Sequence, residues 1–448
     1  MKRKIISTLD LAIALSFILF FISGCKKNSV SDEKQTQTLN QALVFKIPTT
    51  VKEKQLVENL GKVTSVLKIL YNDKNNLKEV NAAIFSKTYT DESILLKDLI
   101  YQENSRLSKS KKFIDLCQKW NILAGNFAQK FWNEVNKSND QSFKTFLEAL
   151  KNNQNNGRVG EYDGSGEVTI YYPYSENYNF TNDPITSLAT ATADADEGYG
   201  DKSFYDTNGT LQWTHVLVND DYAFNNPTQI IGVNGVEPIE RVQDPQEPPP
   251  PPPPPGISRV YIGEGVCKHQ YDRLISFTGN GGGSEIKYCH LTGYLQPVNQ
   301  QITTFQDIAS VDFSRGDIRN KRLLRTYTVW DDDWAPADLE QVLAIYEEDN
   351  TNTVTFNGSI GTTLTFSPGN TGTASIGYNI VRQSQDDIIR ELKISRNSYF
   401  TGAYQDQGWN FSSDVTFIPP PIPHGWPFYD GSQNGGANVC WTWPYKTM

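Results

Sequence analysis

The sequence has 448 residues and a formal net charge of −10, and this length predicts two or three domains. The charge is uneven, since residues 1–155 carry 24 Lys and Arg against 15 Asp and Glu, whereas residues 156–448 carry 17 against 36. The acidic distal half argues against a nucleic-acid partner, because such proteins need a basic stripe.

The first 24 residues have the layout of a secretory signal peptide. Three basic residues at positions 2–4 precede an apolar run from Leu11 to Ile22, and the small residues Ser23 and Gly24 follow. A positive start, an apolar segment and a small-residue cleavage site define such signals. The run is too short to span a bilayer, so a transmembrane helix is the weaker alternative. We therefore predict a signal peptide at residues 1–24.

The residues that end this segment, ISGC at 22–25, resemble a bacterial lipobox. The resemblance implies cleavage before Cys25 and acylation of that cysteine, with palmitate among the expected chains. Several acyl chains together would anchor the protein stably to a lipid bilayer. Residues 31–33, SDE, resemble the short acidic export signals of Bacteroidota surface lipoproteins. The expected location is the outer membrane of the cell envelope, and the acidic signal favours surface exposure.

Two segments follow the lipidation site. Residues 25–50 begin polar, which predicts a flexible tether. Residues 51–155 carry apolar residues at spacings of three and four, which predicts a helical region. The longest apolar stripe runs from Phe113 to Phe131. We interpret these stripes as core faces, with a ligand or partner groove as the alternative.

One of the predicted helices begins near residue 90. Thr90 is its expected cap, and Asp91 and Glu92 would lie in its first turn, where acidic residues complement the helix dipole.

Residues 160–245 predict a small β-rich region. Short β-branched and aromatic runs alternate with clusters of Asn, Asp, Gly and Pro. Within this region, residues 193–201 read ADADEGYGD. Alternating carboxylates around glycines can bind a hard cation, but the EF-hand spacing is incomplete, and a solvated acidic loop is the favoured interpretation.

Residues 246–256 form the predicted linker, because Pro248–Pro255 is an unbroken run of prolines. Such a run adopts an extended polyproline II helix. It would hold two folded parts roughly 25 Å apart as a stiff spacer. A docking site for proline-reading domains is the alternative.

The distal half predicts a second β region. Closely spaced strand patterns at residues 257–400 indicate an antiparallel β-sandwich, with a helix possible at residues 338–348. Residues 401–448 are rich in Gly, Pro and Trp, and we expect them to pack on the sandwich as an aromatic tail. The predicted fold class is therefore α+β and multidomain: a helical region, a β-rich region, a polyproline linker and a C-terminal antiparallel β-sandwich.

Cys267 and Cys289 flank a glycine-rich segment at residues 279–284 that predicts a hairpin turn. A hairpin would bring the two cysteines together, so we predict a disulfide between them, which an oxidising compartment permits. His269 and His290 lie beside them and raise a zinc alternative, but the ligand spacing of structural zinc sites is missing.

The strongest candidate metal site is acidic. Asp331 and Asp333 end a strand pattern and would point to one side of it, and Glu348 closes the next apolar run. Crowded like charges at one end of a sandwich repel one another unless a cation or arginines lie among them. The run VWDDD resembles the calcium-binding edge of C2-type sandwiches. The resemblance implies Ca²⁺ as a cofactor, and ion pairing with nearby arginines is the alternative.

No hydrolase motif of the H-E-x-x-H or G-x-S-x-G type is present in the sequence. The whole pattern, including YYPYSEN at residues 171–177, resembles uncharacterised Bacteroidota-type surface lipoproteins, which implies architecture and location. The leading hypothesis is a non-enzymatic envelope lipoprotein for binding or adhesion of an extracellular or envelope ligand. The rival hypothesis is a surface-anchored hydrolase that uses carboxylates of the C-terminal domain.

Overall fold

The computed structural model covers a defined set of residues, and everything below refers to these. It describes residues 46–103, 105–152, 167–178, 185–234, 258–279, 281–296, 300–336, 338–347, 353–366, 370–383, 388–402, 428–429, 438–442 and 445–447. The predicted signal peptide, Cys25, most of the tether and the proline run lie outside this set. Within the described part of the chain, no helix combines the length and the hydropathy needed to cross a membrane.

The prediction of helices in the N-terminal region is confirmed. The helices are α1 (Val51–Leu70), α2 (Lys74–Phe85), α3 (Leu96–Ile100), α4 (Arg106–Lys109), α5 (Lys111–Lys119), α6 (Asn126–Lys137) and α7 (Gln141–Asn152). A capping box starts α1, because the Thr50 side chain accepts from the Glu53 N–H while the Glu53 carboxylate accepts from the Thr50 N–H. The long predicted stripe is divided between α5 and α6, since Gly125 adopts a φ of 92° between them.

The first sheet packs on these helices. Its strands are β1 (Ser93–Leu95), β2 (Val168–Tyr171), β3 (Ser187–Thr190), β4 (Glu197–Tyr205), β5 (Leu211–Asn219) and β6 (Thr228–Val233). They lie in the order β1-β2-β6-β3-β4-β5, antiparallel except for β3 and β6. One apolar cluster joins the helices to this sheet, from Leu60 and Phe131 to Ile170 and Ile231. The predicted change from helices to strands near residue 160 is therefore not a boundary of the core.

The prediction that a helix begins near Thr90 is wrong. Asp91 and Glu92 have φ values of 51° and 47°, and Ser93 opens strand β1 opposite Tyr171. Helix α3 begins only at Leu96. Pairing with β2 outweighs the local cap signal, because Ser93–Leu95 cannot be helical and also form backbone hydrogen bonds with β2.

The described residues of the distal half form three antiparallel sheets. Their strands are β7 (Ser258–Cys267), β8 (Ser284–Gln296), β9 (Gln300–Phe313), β10 (Leu324–Asp331), β11 (Glu340–Glu347), β12 (Thr353–Phe366), β13 (Asn370–Gln383), β14 (Ile388–Ser395), β15 (Phe428–Tyr429), β16 (Val439–Thr442) and β17 (Tyr445–Thr447). One sheet runs β10-β7-β16-β15, with β17 also on β7, another runs β14-β11-β8-β9, and β12 pairs with β13. The helix considered at 338–348 is a strand, β11. The α+β class is confirmed.

The two larger distal sheets share one apolar cluster. Trp330 from β10, Trp441 from β16 and Tyr288 from β8 are all nearly fully buried in it. Trp334, which follows β10, lies in the same cluster and contacts Trp330 at 5.6 Å between ring centroids. The short strands of the predicted tail therefore complete a sheet, and the described tail tryptophan Trp441 fills the space between the two sheets.

The parts before and after the proline run contact each other directly. Ile275 exchanges backbone hydrogen bonds with Ala195 at 2.9 and 3.0 Å, and Leu274, Ile275 and Phe277 belong to the apolar cluster of the first sheet. Arg315 binds Asp220 at 3.0 Å. The expectation that the prolines hold two parts about 25 Å apart is therefore wrong, because the segment that follows them returns to the first sheet.

The predicted Cys267–Cys289 disulfide is not formed in the structure. Strand β7 pairs with β10 and β16, whereas β8 pairs with β9 and β11, so residues 279–284 do not close a hairpin. Cys267 lies in the cluster between the two larger sheets. Cys289 faces a separate cluster beneath Ile360 of β12. The two thiols therefore lie on opposite sides of a packed sheet.

Candidate carboxylate centre

Three acidic side chains from distant parts of the chain meet where the distal strands contact the first sheet. One carboxylate oxygen each of Asp91, Glu285 and Asp312 lies within 4.8 Å of the other two. Asp91 precedes β1, and Glu285 and Asp312 are directly opposite each other on β8 and β9. Like charges at opposed strand positions destabilise a sheet. We call this group the carboxylate centre.

The backbone at Asp91 is held in an uncommon conformation. Asp91 and Glu92 both lie in the left-handed region, which costs about 1–2 kcal/mol for each non-glycine residue. Contacts on both sides fix this turn: Ser93 Oγ donates to the Asp91 carbonyl at 3.0 Å, and the Tyr172 N–H donates to the Glu92 carbonyl at 3.0 Å. The packing of β1 on β2 therefore presents the Asp91 carboxylate to the distal strands.

The glycine-rich segment before β8 permits this approach. The Gly283 N–H donates to Asp91 Oδ1 at 3.1 Å. A Cβ atom at Gly283 would lie 2.2 Å from the Phe313 carbonyl oxygen and 2.8 Å from Asp91 Oδ1, so no larger residue fits. Gly282 has a φ of 148° and its Cβ position is 3.0 Å from Asp91 Oδ2. The glycines thus act as a close-packing surface for a carboxylate.

The electrostatics of the centre are unfavourable for ionised acids. Burial raises the pKa of Asp91 to about 6, against the lowering effects of the Gly283 N–H, Asp312 and Arg315. Burial, then the neighbouring Glu176, raises the pKa of Glu92 well above its usual range. Carboxylates that are crowded and desolvated in this way hold a proton or need a cation.

One buried cation lies nearby, and it is already engaged. Arg315 is 4% exposed and is the first residue of helix α9 (Arg315–Asn320) in the distal half. Its partner Asp220 is the first residue of helix α8 (Asp220–Asn225), which follows β5. Arg315 Nη1 donates to Asp220 Oδ1 at 3.0 Å and Arg315 Nη2 donates to the Asp272 carbonyl at 2.8 Å. Because Asp220 takes up much of its charge, Arg315 compensates the carboxylate centre only in part.

The buried hydroxyl of Tyr171 belongs to the surroundings of the centre. Tyr171 is 1% exposed, and its hydroxyl has no hydrogen-bond partner in the described part of the chain. Arg315, Glu92 and Asp91 act electrostatically on this hydroxyl, and Tyr171 pairs in the sheet with Ser93, two residues after Asp91. An unsatisfied buried hydroxyl costs about 1–3 kcal/mol. A bound ion or its water ligand would remove that cost.

The donor set determines which ion would fit. All three ligands are carboxylate oxygens, which hard cations such as Ca²⁺ and Mg²⁺ prefer. Thiolate and imidazole, the usual ligands of zinc, are not among them. Ca²⁺ accepts six to eight oxygens in flexible geometry, and so it suits three carboxylates completed by water better than Mg²⁺ does.

The sequence-predicted calcium site is built differently. Asp331 Oδ2 accepts a hydrogen bond from the Gln341 side chain, and Asp331 Oδ1 accepts from the Asp333 N–H at 2.8 Å. The neighbouring Asp332 binds Arg259 Nε at 3.0 Å, in line with the arginine alternative. Glu348 lies outside the described residues. Among the described residues, Asp331 and Asp333 do not form a ligand group with a third acid, and calcium there stays a prediction.

The acidic run at residues 193–201 is occupied by protein contacts. Asp194 is 5% exposed and accepts from Ser276 Oγ and the Phe277 N–H, each at 2.8 Å. Asp196 binds Arg273 at 2.9 Å. Asp201 binds Lys68. These carboxylates join structural elements, so neither the cation nor the fully solvated interpretation describes them.

No family model matches the chain, and neither a curated protein nor a solved structure shows detectable similarity to it. Its candidate site is therefore argued from its own geometry. Sequence reasoning missed the carboxylate centre because 194 residues separate Asp91 from Glu285. The one local signal available, the uninterrupted glycines at 281–283, indicates a close backbone approach without naming the partner.

Proposed function

We propose that the protein is a lipid-anchored envelope protein whose molecular role is binding, and that it holds a calcium-type cation at the carboxylate centre. The observation that carries this proposal is the convergence of Asp91, Glu285 and Asp312 within 4.8 Å beside the buried Tyr171 hydroxyl. A cation there would join β1 of the first sheet to β8 and β9. It would thereby stabilise the contact between the two halves of the protein.

The anchoring part of the proposal depends on the sequence. ISGC at residues 22–25 supports acylation at Cys25, and SDE at residues 31–33 supports export to the surface of the outer membrane. The bilayer is then a partner through Cys25, and the ligand is an extracellular or envelope molecule. Mass spectrometry of the protein purified from membranes tests this part. An unmodified Cys25 in a chain that retains residues 1–24 would contradict it.

The finer architecture is also a proposal. The two distal sheets that share the Trp330 cluster support a β-sandwich, and the tail strands on β7 support a tail that belongs to it. In C2-type sandwiches the calcium ligands lie at one edge. The cation proposed here would lie at the ends of β8 and β9 that face the first sheet.

One observation favours the rival hydrolase hypothesis. Burial and then the neighbouring Glu176 raise the pKa of Glu92 well above its usual range. A buried carboxyl group with a raised pKa, beside a second carboxyl group, can serve as the general acid of a hydrolase. Both residues lie before the proline run, so the rival proposal now concerns this pair. Loss of glycan or peptide hydrolysis in Glu176→Gln, with calcium binding retained, would favour it.

Calcium titration of the purified lipoprotein tests the leading proposal. At a calcium concentration 100-fold above Kd, ligand binding adds about 2.7 kcal/mol to the free energy of unfolding. We expect a rise in Tm of roughly 2–5 °C and heat in calorimetry, both lost in Asp91→Asn and in Asp312→Asn.

The matched controls distinguish the two candidate sites. Asp332→Asn changes an exposed carboxylate that binds Arg259, and it should keep the calcium response. Asp331→Asn tests the alternative site at the strand end. A calcium response that survives Asp91→Asn but disappears in Asp331→Asn would move the site, and the absence of any response at millimolar calcium would refute the proposal.

A further inference from the structure

A basic surface stands out against the acidic composition of the protein. Residues 103–123 carry five basic and two acidic residues, although the whole chain has a net charge of −10. We name the five basic side chains, all exposed, the basic surface: Arg106, Lys109, Lys111, Lys112 and Lys119. They lie on the consecutive helices α4 and α5, so their charges act together.

The fold of helix α5 directs these charges outward. Phe113 and Cys117, one turn apart, are 1% and 2% exposed and face the core. Lys111 and Lys119 lie on the opposite side of the helix, as the helical period requires. The buried face fixes the helix in place, and the outward face is left to meet a partner.

Apolar side chains extend the basic surface. Leu123 is 76% exposed, and Ile114 is 39% exposed. The loop that carries Leu123 folds back on the end of α5, because the Ile122 N–H donates to the Cys117 carbonyl at 3.0 Å. Leu123 therefore protrudes from the loop that directly follows α5 and Lys119. Basic residues around exposed apolar ones are the composition of surfaces that lie in the headgroup region of a bilayer.

We propose that the basic surface, with Leu123 and Ile114, docks on an anionic lipid surface. The charges are complementary to anionic headgroups, and the apolar side chains reach the boundary of the acyl chains. The chain between Cys25 and Lys46 could span at most about 70 Å when fully extended, and this length permits the helices to reach the membrane that holds the anchor. Docking would fix the orientation of the protein relative to the membrane.

The test uses the lipidated protein reconstituted into vesicles, with hydrogen exchange measured on peptides that cover residues 106–125. We expect slower exchange on vesicles containing anionic phospholipid than on zwitterionic vesicles. The difference should disappear at 0.5 M salt, where the Debye length is only a few Å. Exchange at equal rates on both kinds of vesicle would refute the proposal.

Variants locate the effect. Lys111→Glu with Lys119→Glu should weaken docking at least about thirty-fold, since each removed lysine alone accounts for roughly a factor of five. Leu123→Ser should weaken it less. Lys137→Glu is the control, because Lys137 is 71% exposed on another helix and pairs with Glu134. Protection that persists in the double variant, or that is lost equally in the control, would overturn the assignment.

The proposal rests on the anchoring at Cys25, and the experiment separates the two. If lipidation fails, the protein does not sediment with the vesicles. If only the docking fails, the protein sediments but residues 106–125 exchange equally on both kinds of vesicle.

Discussion

Two acidic positions connect the first sheet to the distal strands, and their carboxylates are stabilised in different ways. Asp194 is a single carboxylate with several donors from the segment 276–278, including Ser276 Oγ at 2.8 Å and the Phe277 N–H at 2.8 Å. The Thr278 hydroxyl also donates to it. The carboxylate centre instead places three acids together, and Asp91 receives one backbone N–H, from Gly283.

The number of hydrogen-bond donors determines whether an acidic group within the protein needs a bound ion. A carboxylate that accepts several hydrogen bonds is stabilised in its charged form. At the carboxylate centre, the acids at opposed strand positions face one another and repel. The first arrangement is complete within the protein, whereas the second becomes favourable once a proton or a cation enters. Both arrangements connect the same two halves, so they can be compared in one stability measurement.

The largest effect is expected at Asp194. Asp194→Ala removes the acceptor for several buried donors, each of which costs about 1–3 kcal/mol when unsatisfied. We expect the free energy of unfolding to fall by about 3–5 kcal/mol, with or without calcium, in denaturant titrations. Asp196→Asn is the control, because Asp196 is 56% exposed and an asparagine oxygen can still accept from Arg273, so the loss should be smaller than at Asp194. A loss at Asp194 no larger than at Asp196 would contradict this account.

The carboxylate centre should respond with the opposite dependence on calcium. Asp91→Asn keeps an oxygen for the Gly283 N–H and removes a charge from a crowded group. In chelator-treated protein we expect the free energy of unfolding to change by less than about 1 kcal/mol, or to rise. In excess calcium the variant should lack the gain of about 2.7 kcal/mol that the unaltered protein shows at 100-fold Kd. If Asp91→Asn lowered the free energy of unfolding without calcium as much as Asp194→Ala does, the proposed difference between the two positions would be contradicted.

The sequence predicts the two positions unequally for a physical reason. Periodic apolar residues are local and sufficient to predict the helices from residue 51, since they depend on spacing alone. The strand patterns likewise predict an antiparallel distal half. The conformation of Asp91 is not determined by its neighbours in the sequence. It depends on the pairing of Ser93 with Tyr171, which lies 78 positions further along the chain. The Thr90 cap signal therefore misled.

The carboxylate centre itself cannot be predicted from the sequence pattern. Glu285 and Asp312 meet through the register of β8 and β9, and Asp91 joins them because Gly282 and Gly283 leave room for its carboxylate. The acidic strand end at Asp331 is conspicuous in sequence, yet Gln341 and the Asp333 N–H already bind that carboxylate. Density of charge along the chain is thus a poor guide to crowding in space.

The smallest effect sharpens the comparison within a single helix. Glu53 is 8% exposed and accepts from the Thr50 N–H at 2.9 Å and from the Thr49 N–H at 2.7 Å. The Thr50 N–H is the main cause that lowers the pKa of Glu53 to about 2. Like Asp194, this carboxylate has several donors, since the Thr49 hydroxyl also donates to it, but all three come from the start of its own helix.

Because the folded pKa of Glu53 lies below its ordinary value of 4.5, its contribution to stability is complete above about pH 4.5 and is lost as the pH falls toward 2. Glu53→Gln should therefore lower the free energy of unfolding by about 1 kcal/mol near pH 7, and the difference from the unaltered protein should vanish near pH 2. Glu58→Gln, on the exposed side of the same helix, should change it by less than about 0.5 kcal/mol. A pH-independent loss in Glu53→Gln would mean that packing, and not the ionised cap, stabilises the start of α1.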